Sequence, residues 1–163
     1  MSVSFTAFEI FEIAEQIERN AAKFYRKAAE KTADKAMRHF FGQLAEMEDN
    51  HEKAFAEMRK NLVDDARDTM AFDPGNEMAY YLKAMATNAG WEGKVLPGIE
   101  LAGSETPKQI LAAAIGAERA SIDYYLGLKT FVPSQAGKDK VEKIIKEEMK
   151  HVIMLQKHLE QMS

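Results

Sequence analysis

The 163-residue sequence contains no cysteine, only four prolines and a single tryptophan. Without cysteine the chain cannot form a disulfide, a thiolate zinc site, a Cys-ligated iron–sulfur cluster or a rubredoxin-type iron site. No apolar run approaches the roughly 18 residues that indicate a membrane span. The N-terminal stretch has no basic region and turns acidic at Glu9, unlike a secretory signal. We therefore expect a cytoplasmic protein with no membrane partner.

A strong charge of one sign is also missing. The chain has 22 basic and 26 acidic residues and a formal net charge of −4, so nothing attracts it to nucleic acid or anionic lipid. A hydrophobic fraction of 46% and a charged fraction of 29% are ordinary for a globular protein. The length is most simply that of one domain with its own core. We expect a single domain over residues 1–163 and no nucleic-acid partner.

Apolar residues recur every three or four positions along four long segments, which predicts four amphipathic helices. Their boundaries fall at about 6–31, 34–67, 106–132 and 134–162. The first opens with Thr6 and Glu9 at the spacing of a capping box, and the third opens with Thr106 followed by Pro107. No strand pattern competes with the helical one. The predicted fold class is all-α.

A connection from about residue 68 to 105 separates the two pairs of helices. Proline and glycine interrupt it, and residues 76–87 within it predict a short amphipathic helix. Helices of about 28 residues are roughly 40 Å long at ~1.5 Å per residue, so a connection of this length can travel the whole bundle. We predict two helical hairpins joined by a long crossover, as in a four-helix bundle.

Two of the helices carry a Glu-x-x-His pair on the face that otherwise holds apolar residues. An internal match without gaps, at an offset of 100 residues, links these pairs to each other and to other polar positions. The matching residues are Glu18 and Glu118, Arg19 and Arg119, Tyr25 and Tyr125, Glu48 and Glu148, and His51 and His151. We interpret the repeat as a two-fold arrangement of one site.

The turns between the helices set the height of these residues in the bundle. Residue 33 is midway between Glu18 and Glu48, and Pro133 is midway between Glu118 and Glu148. Residues equidistant from the turn of a helical hairpin lie at the same height, and residues i and i+3 share one helix face. We therefore expect six side chains to meet in the core at mid-height: Glu18, Glu48, His51, Glu118, Glu148 and His151.

A buried group of four carboxylates needs compensating charge, because even one unpaired buried carboxylate costs several kcal/mol. Two divalent cations would balance the four carboxylates and leave both imidazoles neutral as ligands. Carboxylates with one imidazole for each metal suit Fe or Mn, and Zn is possible. The sequence therefore predicts a two-metal centre. The alternative is a set of buried ion pairs with Arg19 and Arg119, although both arginines lie off the core stripe.

One Glu from each of two helices, with Glu-x-x-His from each of the other two, resembles the ligand pattern of ferritin-like diiron-carboxylate proteins. With Glu-x6-Tyr on the first helix, the chain resembles a rubrerythrin-type, or erythrin, domain without its rubredoxin tail. This resemblance implies that Glu18 and Glu118 are single carboxylate ligands, that the two Glu-x-x-His motifs are paired ligands, and that the cofactor is two Fe ions. It also implies a homodimer, and an oxidoreductase that acts on hydrogen peroxide or dioxygen. The electron donor would be separate, such as a rubredoxin-like protein.

Two alternative functions stay open beside this one. Rubrerythrins typically have an additional carboxylate three residues after the Glu of the third helix, where this sequence has Ser121. The chain could instead be an iron-binding, ferroxidase or storage protein without peroxidase turnover, or a structural bundle whose site holds Zn. Tyr25 and Tyr125, two turns from Glu18 and Glu118, are interpreted either as core filling or as phenols that hydrogen-bond a ligand carboxylate or donate to a bound oxygen species.

Overall fold

The computed structural model describes residues 6–62, 77–88, 101–132 and 134–162. Within these ranges the chain forms five helices: α1 (Ala7–Lys31), α2 (Lys35–Lys60), α3 (Glu77–Asn88), α4 (Pro107–Phe131) and α5 (Gln135–Gln161). Helices α1 and α2 pack as one hairpin and α4 and α5 as another. The predicted all-α bundle of two hairpins is confirmed. None of the helices in the described ranges combines the length and hydropathy that crossing a membrane requires.

Side-chain caps define where the four long helices begin. Thr6 and Glu9 form a complete capping box at α1, and Thr106 and Gln109 form a second one at α4. Asp34 accepts the Met37 N–H at the start of α2, and Ser134 accepts the Gly137 N–H at the start of α5. Each cap satisfies backbone donors that have no partner inside the helix and contributes typically about 1 kcal/mol.

The end of α2 differs from the predicted boundary at residue 67. The helix ends at Lys60, because Asn61 leaves the helical conformation, with φ −85° and ψ 0°, and its N–H bonds the carbonyls of Glu57 and Arg59. Apolar periodicity continues past this point in the sequence, and periodicity alone cannot detect a local cap. Residues 63–67 lie outside the described residues.

The short helix predicted within the crossover is confirmed as α3, which packs against α4. Leu82 is fully buried in this contact, and the Tyr81 hydroxyl donates a hydrogen bond to the Asp123 carbonyl at 2.7 Å. Gly127 permits the close approach, because a Cβ at that position would lie 2.7 Å from the Tyr81 ring. The rest of the crossover, residues 68–76 and 89–100, lies outside the described residues.

The apolar core is divided into two clusters along the bundle. One includes Ile10, Phe55, Tyr124, Leu128 and Val141 and lies toward the turn between α4 and α5. The other contains Phe41, Leu44, Leu111 and Leu155, among others, and lies toward the turn between α1 and α2. Each large side chain that is fully buried contributes about 1.5–3 kcal/mol relative to an exposed one. Polar residues occupy the layer between the clusters. That residues 1–163 form one domain stays a prediction.

Candidate metal centre

Six buried polar side chains meet in the layer between the two apolar clusters, and all four long helices contribute to it. Their exposed fraction does not exceed 4%. They are Glu18 from α1, Glu48 and His51 from α2, Glu118 from α4, and Glu148 and His151 from α5. The structure therefore brings together the six residues that the helical register placed at one height.

The six side chains form two overlapping groups of four. In each group, one ligand atom from every residue lies within 4.8 Å of the others. The first group is Glu18, Glu48, His51 and Glu148, and the second is Glu48, Glu118, Glu148 and His151. Glu48 and Glu148 belong to both groups. A carboxylate has two oxygens, so these two residues are placed to bridge a pair of ions.

Both imidazoles turn Nδ1 toward the carboxylates. His51 Nδ1 lies 2.9 Å from Glu148 Oε1, 3.4 Å from Glu48 Oε2 and 3.6 Å from Glu18 Oε2. His151 Nδ1 lies 2.9 Å from Glu148 Oε2, 3.0 Å from Glu48 Oε1 and 3.4 Å from Glu118 Oε1. These contacts also show that α2 and α5 run antiparallel. The atom that each imidazole offers to a cation is thus Nδ1.

The other nitrogens of the two rings have different surroundings. His51 Nε2 lies 2.8 Å from Glu147 Oε2, whose side chain is 29% exposed. His151 Nε2 is buried and has no hydrogen-bond partner among the described residues. Sequence reasoning did not single out Glu147. Its contact with α2 depends on how α5 packs against that helix, which the spacing within one hairpin does not specify.

Several atoms of the cluster are buried without a hydrogen-bond partner in the described part of the chain. Glu48 Oε1, Glu148 Oε2 and His151 Nδ1 are three of them. The Nδ1 atom is close to both oxygens, but the approach does not have hydrogen-bond geometry. Leaving a buried polar group unpaired costs about 1–3 kcal/mol. All three atoms face the centre of the cluster and are donors that Fe or Mn accepts, so the residues fit a bound pair of cations.

Two tyrosine hydroxyls also reach the cluster. Tyr25 donates a hydrogen bond to Glu118, and Tyr125 donates one to Glu18. Each tyrosine therefore contacts the glutamate of the opposite helix, whereas the spacing along the sequence associated it with the glutamate on its own helix. The crossed pairing follows from the antiparallel packing of α1 and α4. It orients both carboxylates from outside the cluster.

The two single glutamates favour their protonated forms when no cation is present. Burial raises the pKa of Glu18 well above its ordinary value of 4.5, and the nearby carboxylates of Glu148 and Glu48 raise it further. The same causes, in the same order, raise the pKa of Glu118. A carboxyl group surrounded by other carboxylates in an apolar interior is more stable neutral.

In the Glu-x-x-His pairs the pKa values of the glutamates are lowered, and those of the histidines are raised. Burial would raise the pKa of Glu48 and Glu148, but the close imidazoles of His151 and His51 outweigh it and lower both values. Burial would lower the pKa of the imidazoles, but the surrounding carboxylates raise it, for His151 to about 12. In the metal-free cluster, protons on the imidazoles therefore supply positive charge. Binding of cations must displace these protons.

The alternative of buried ion pairs with arginine is wrong. Arg19 is 44% exposed and pairs with Glu52 at 2.7 Å on the surface, and Arg119 is exposed. Ser121 is buried, and its hydroxyl donates to the Ala117 carbonyl at 3.1 Å. It also lines a small cavity of about 20 Å³ beside Glu118 and Tyr25.

A four-helix bundle with a buried layer of carboxylates and imidazoles defines the class of protein. The family described as "Ferritin-like domain" matches residues 6–161, and the chain belongs to this family. The crystal structure of a "putative ferritin-like diiron-carboxylate protein" from Thermotoga maritima is similar to the chain, with a TM-score of 0.74 and 21% sequence identity over 98% of both chains. No curated protein matches it. The ferritin-like fold inferred from the sequence is thus confirmed.

Proposed function

We propose that this chain holds a carboxylate-bridged pair of iron ions and acts as a rubrerythrin-like oxidoreductase on hydrogen peroxide or dioxygen. The observation that carries the proposal is the pair of overlapping ligand groups, which share Glu48 and Glu148 and contain buried donor atoms without partners. The similar Thermotoga maritima structure, which carries diiron-carboxylate in its name, supports iron as the metal.

The residues of this chain have separate tasks in the proposed centre. Glu18 and Glu118 would each bind one ion, Glu48 and Glu148 would bridge the two, and the imidazoles would bind through Nδ1. Such a pair of iron ions supplies two electrons to an oxygen substrate. Tyr25 and Tyr125 hold the single carboxylates in place through their hydroxyl groups. The apolar clusters flank this layer on both sides along the bundle.

The proposal includes partners that the cluster itself does not contain. The chain has no cysteine for a rubredoxin-type iron site, so electrons would come from a separate donor such as a rubredoxin-like protein. We also propose a cytoplasmic homodimer. Sedimentation equilibrium of the metal-loaded chain tests the dimer, because a mass equal to that of one chain would contradict it.

Metal analysis followed by rapid kinetics tests the function. Protein purified without added metal should contain about two iron ions per chain, as two ligand groups predict. The anaerobically reduced protein should then be oxidised on mixing with peroxide in a stopped-flow instrument. Metal-depleted protein is the control. Zinc in place of iron, together with no reaction with peroxide, would favour the structural bundle and contradict the proposal.

A second function, iron binding with ferroxidase activity or storage but no peroxidase turnover, is favoured by one observation. The position that resembles the family's additional carboxylate is Ser121, and its hydroxyl bonds the Ala117 carbonyl. Ser121→Glu places a carboxylate one helical turn beyond Glu118 on the same face. If the missing carboxylate limits turnover, this variant should reduce peroxide faster than the wild type does.

Ser121→Gln is the matched control, because it adds similar volume without charge. Faster turnover in Ser121→Glu but not in Ser121→Gln supports the storage or ferroxidase assignment for the natural chain. Fast turnover in the wild type that neither substitution changes would contradict it.

A further inference from the structure

We propose that Glu147 is a positioning residue for His51 and that it makes the His51 side of the two-metal centre bind its ion more tightly than the His151 side. The inference rests on the proposed two-metal centre and adds an order of loading to it. The two ligand groups have the same composition, three Glu and one His, so any difference in affinity must come from what surrounds them.

The contact with Glu147 selects the form of His51 that can bind a cation. His51 Nε2 lies 2.8 Å from Glu147 Oε2, while Nδ1 faces Glu18, Glu48 and Glu148. When Nε2–H donates to Glu147, the ring keeps its proton on Nε2, and the proton that a cation displaces is the one on Nδ1, whose lone pair then binds the metal. Metal-binding histidines commonly donate their second N–H to a carboxylate or carbonyl, which fixes the ring and increases its basicity.

Glu147 is placed so that its carboxylate remains in contact with solvent. It precedes Glu148 on α5 but lies at the edge of a surface pocket of about 450 Å³ between α2 and α5. Asn50, Glu57 and Lys143 also line this pocket. Because the side chain is 29% exposed, it bonds a buried imidazole without the full cost of burying a charge.

The other half of the centre has no equivalent support among the described residues. At the offset of 100 residues, the position that corresponds to Glu147 is Met47, whose thioether is only a weak hydrogen-bond acceptor. His151 is fully buried, and its Nε2 has no partner in the described part of the chain. A metal on Nδ1 of His151 would therefore leave a buried N–H unpaired, which weakens binding on that side.

Calorimetric titration of the chelator-treated, full-length protein with Zn²⁺ tests the difference. The wild type should bind two ions with separate affinities. Glu147→Ala should weaken the tighter site by roughly 10–100-fold, the usual effect of removing such a partner. Glu147→Gln keeps an acceptor oxygen and should lose less. Glu57→Ala is the control, because it removes a carboxylate from the same pocket and should leave both affinities unchanged.

Nitrogen-15 NMR of the histidines identifies the side that fills first. With one equivalent of Zn²⁺, the His51 signals should shift to those of a ring with metal on Nδ1 before the His151 signals do. The Nε2–H proton of His51 should be visible and slow to exchange in the wild type, and lost in Glu147→Ala. A residue that only stabilised the fold would not change this one proton selectively.

Met47→Glu provides the converse test and does not depend on whether Glu147→Ala folds. A carboxylate at position 47 should tighten the weaker site and bring the two affinities together. Unchanged affinities in both Glu147→Ala and Met47→Glu, or earlier shifts of the His151 signals, would overturn the inference while the two-metal centre stands. A wild-type chain that binds fewer than two ions would overturn the proposed centre itself.

Discussion

The two hairpins carry the same buried residues but are held together differently. Several ion pairs join α1 to α2, whereas in the described part of the chain a single ion pair, Lys129–Glu142 at 2.7 Å, joins α4 to α5. Helix α3 covers α4, with Gly127 at the contact, whereas the corresponding residue of α1 is Lys27. Among the described residues, the ion pairs of the first hairpin are Arg19–Glu52, Arg26–Asp49, Arg59–Glu12 and Arg59–Glu15. The repeat is thus kept in the buried cluster, with Arg19 and Arg119 as exposed members, whereas the ion pairs and the α3 contact of the outer faces are not repeated.

The difference extends into the layer of carboxylates and imidazoles. His51 has a hydrogen-bond partner for each nitrogen, whereas His151 Nε2 has none among the described residues. Two ligand sets of identical composition can therefore differ in affinity. A two-fold sequence repeat therefore predicts matched ligands but does not predict matched environments.

The largest expected effect tests whether the two halves share their bridging residues. Glu148→Ala should empty both metal positions, because Glu148 belongs to both ligand groups, whereas Glu118→Ala should remove metal from one. Native mass spectrometry of protein loaded with iron measures the number of ions per chain. The thermal stabilisation produced by added metal should also be lost in Glu148→Ala. Equal metal content in the two variants would show that the halves bind independently.

The next effect separates the two halves by their imidazoles. His51→Ala and His151→Ala should each weaken binding on their own side and leave the other ion in place. Tyr25→Phe should keep both ions, because its hydroxyl bonds Glu118 from outside the ligand groups. Metal analysis after gel filtration measures occupancy. If Tyr25→Phe lost as much metal as His51→Ala, the division between ligands and supporting residues would be wrong.

A third test uses the pH dependence of stability in the metal-free protein, to which the single glutamates and the Glu-x-x-His pairs contribute differently. Glu18 and Glu118 have raised pKa values, so their contribution to stability is complete below 4.5 and is lost as the pH rises. The imidazoles contribute fully below 6.5 and also lose their contribution as the pH rises. Glu48 and Glu148 have lowered pKa values, so their contribution to stability is present above 4.5 and is lost only as the pH falls below it.

The free energy of unfolding of the metal-free chain should therefore fall by at least about 1 kcal/mol between about pH 6 and about pH 9. Metal-loaded protein should not show this loss, because cations replace the protons. Urea denaturation at both pH values, with and without metal, measures the difference. A metal-free chain that became more stable toward pH 9 would contradict the assigned pKa directions.

The smallest effect concerns the helix that covers only one hairpin. Gly127→Ala should destabilise the chain by about 1–3 kcal/mol, since its Cβ would lie 2.7 Å from the Tyr81 ring. Gly116→Ala on the same helix is the control, because a Cβ there meets nothing within 4 Å and alanine should stabilise the helix by up to ~1 kcal/mol. Denaturant unfolding of both variants measures the contrast. A similar increase in stability in both variants would show that α3 can move away from position 127 without loss of stability.

The sequence alone determined the helices and the six residues of the cluster. Caps, an apolar period of three to four residues and short turns are local features, and in a hairpin they also set which residues share a height. That is why the sequence alone predicts that Glu18 lies level with Glu48 and His51.

Only the tertiary structure decided the contacts between hairpins. The crossed bonds of Tyr25 and Tyr125, the contact between Glu147 and His51, and the approach of α3 at Gly127 all join segments that are distant in sequence. They depend on how each helix is rotated and shifted against a helix that is distant in sequence. Many rotations bury the same apolar stripe, so periodicity does not select among them. The packing of complete side chains against one another selects one of these rotations.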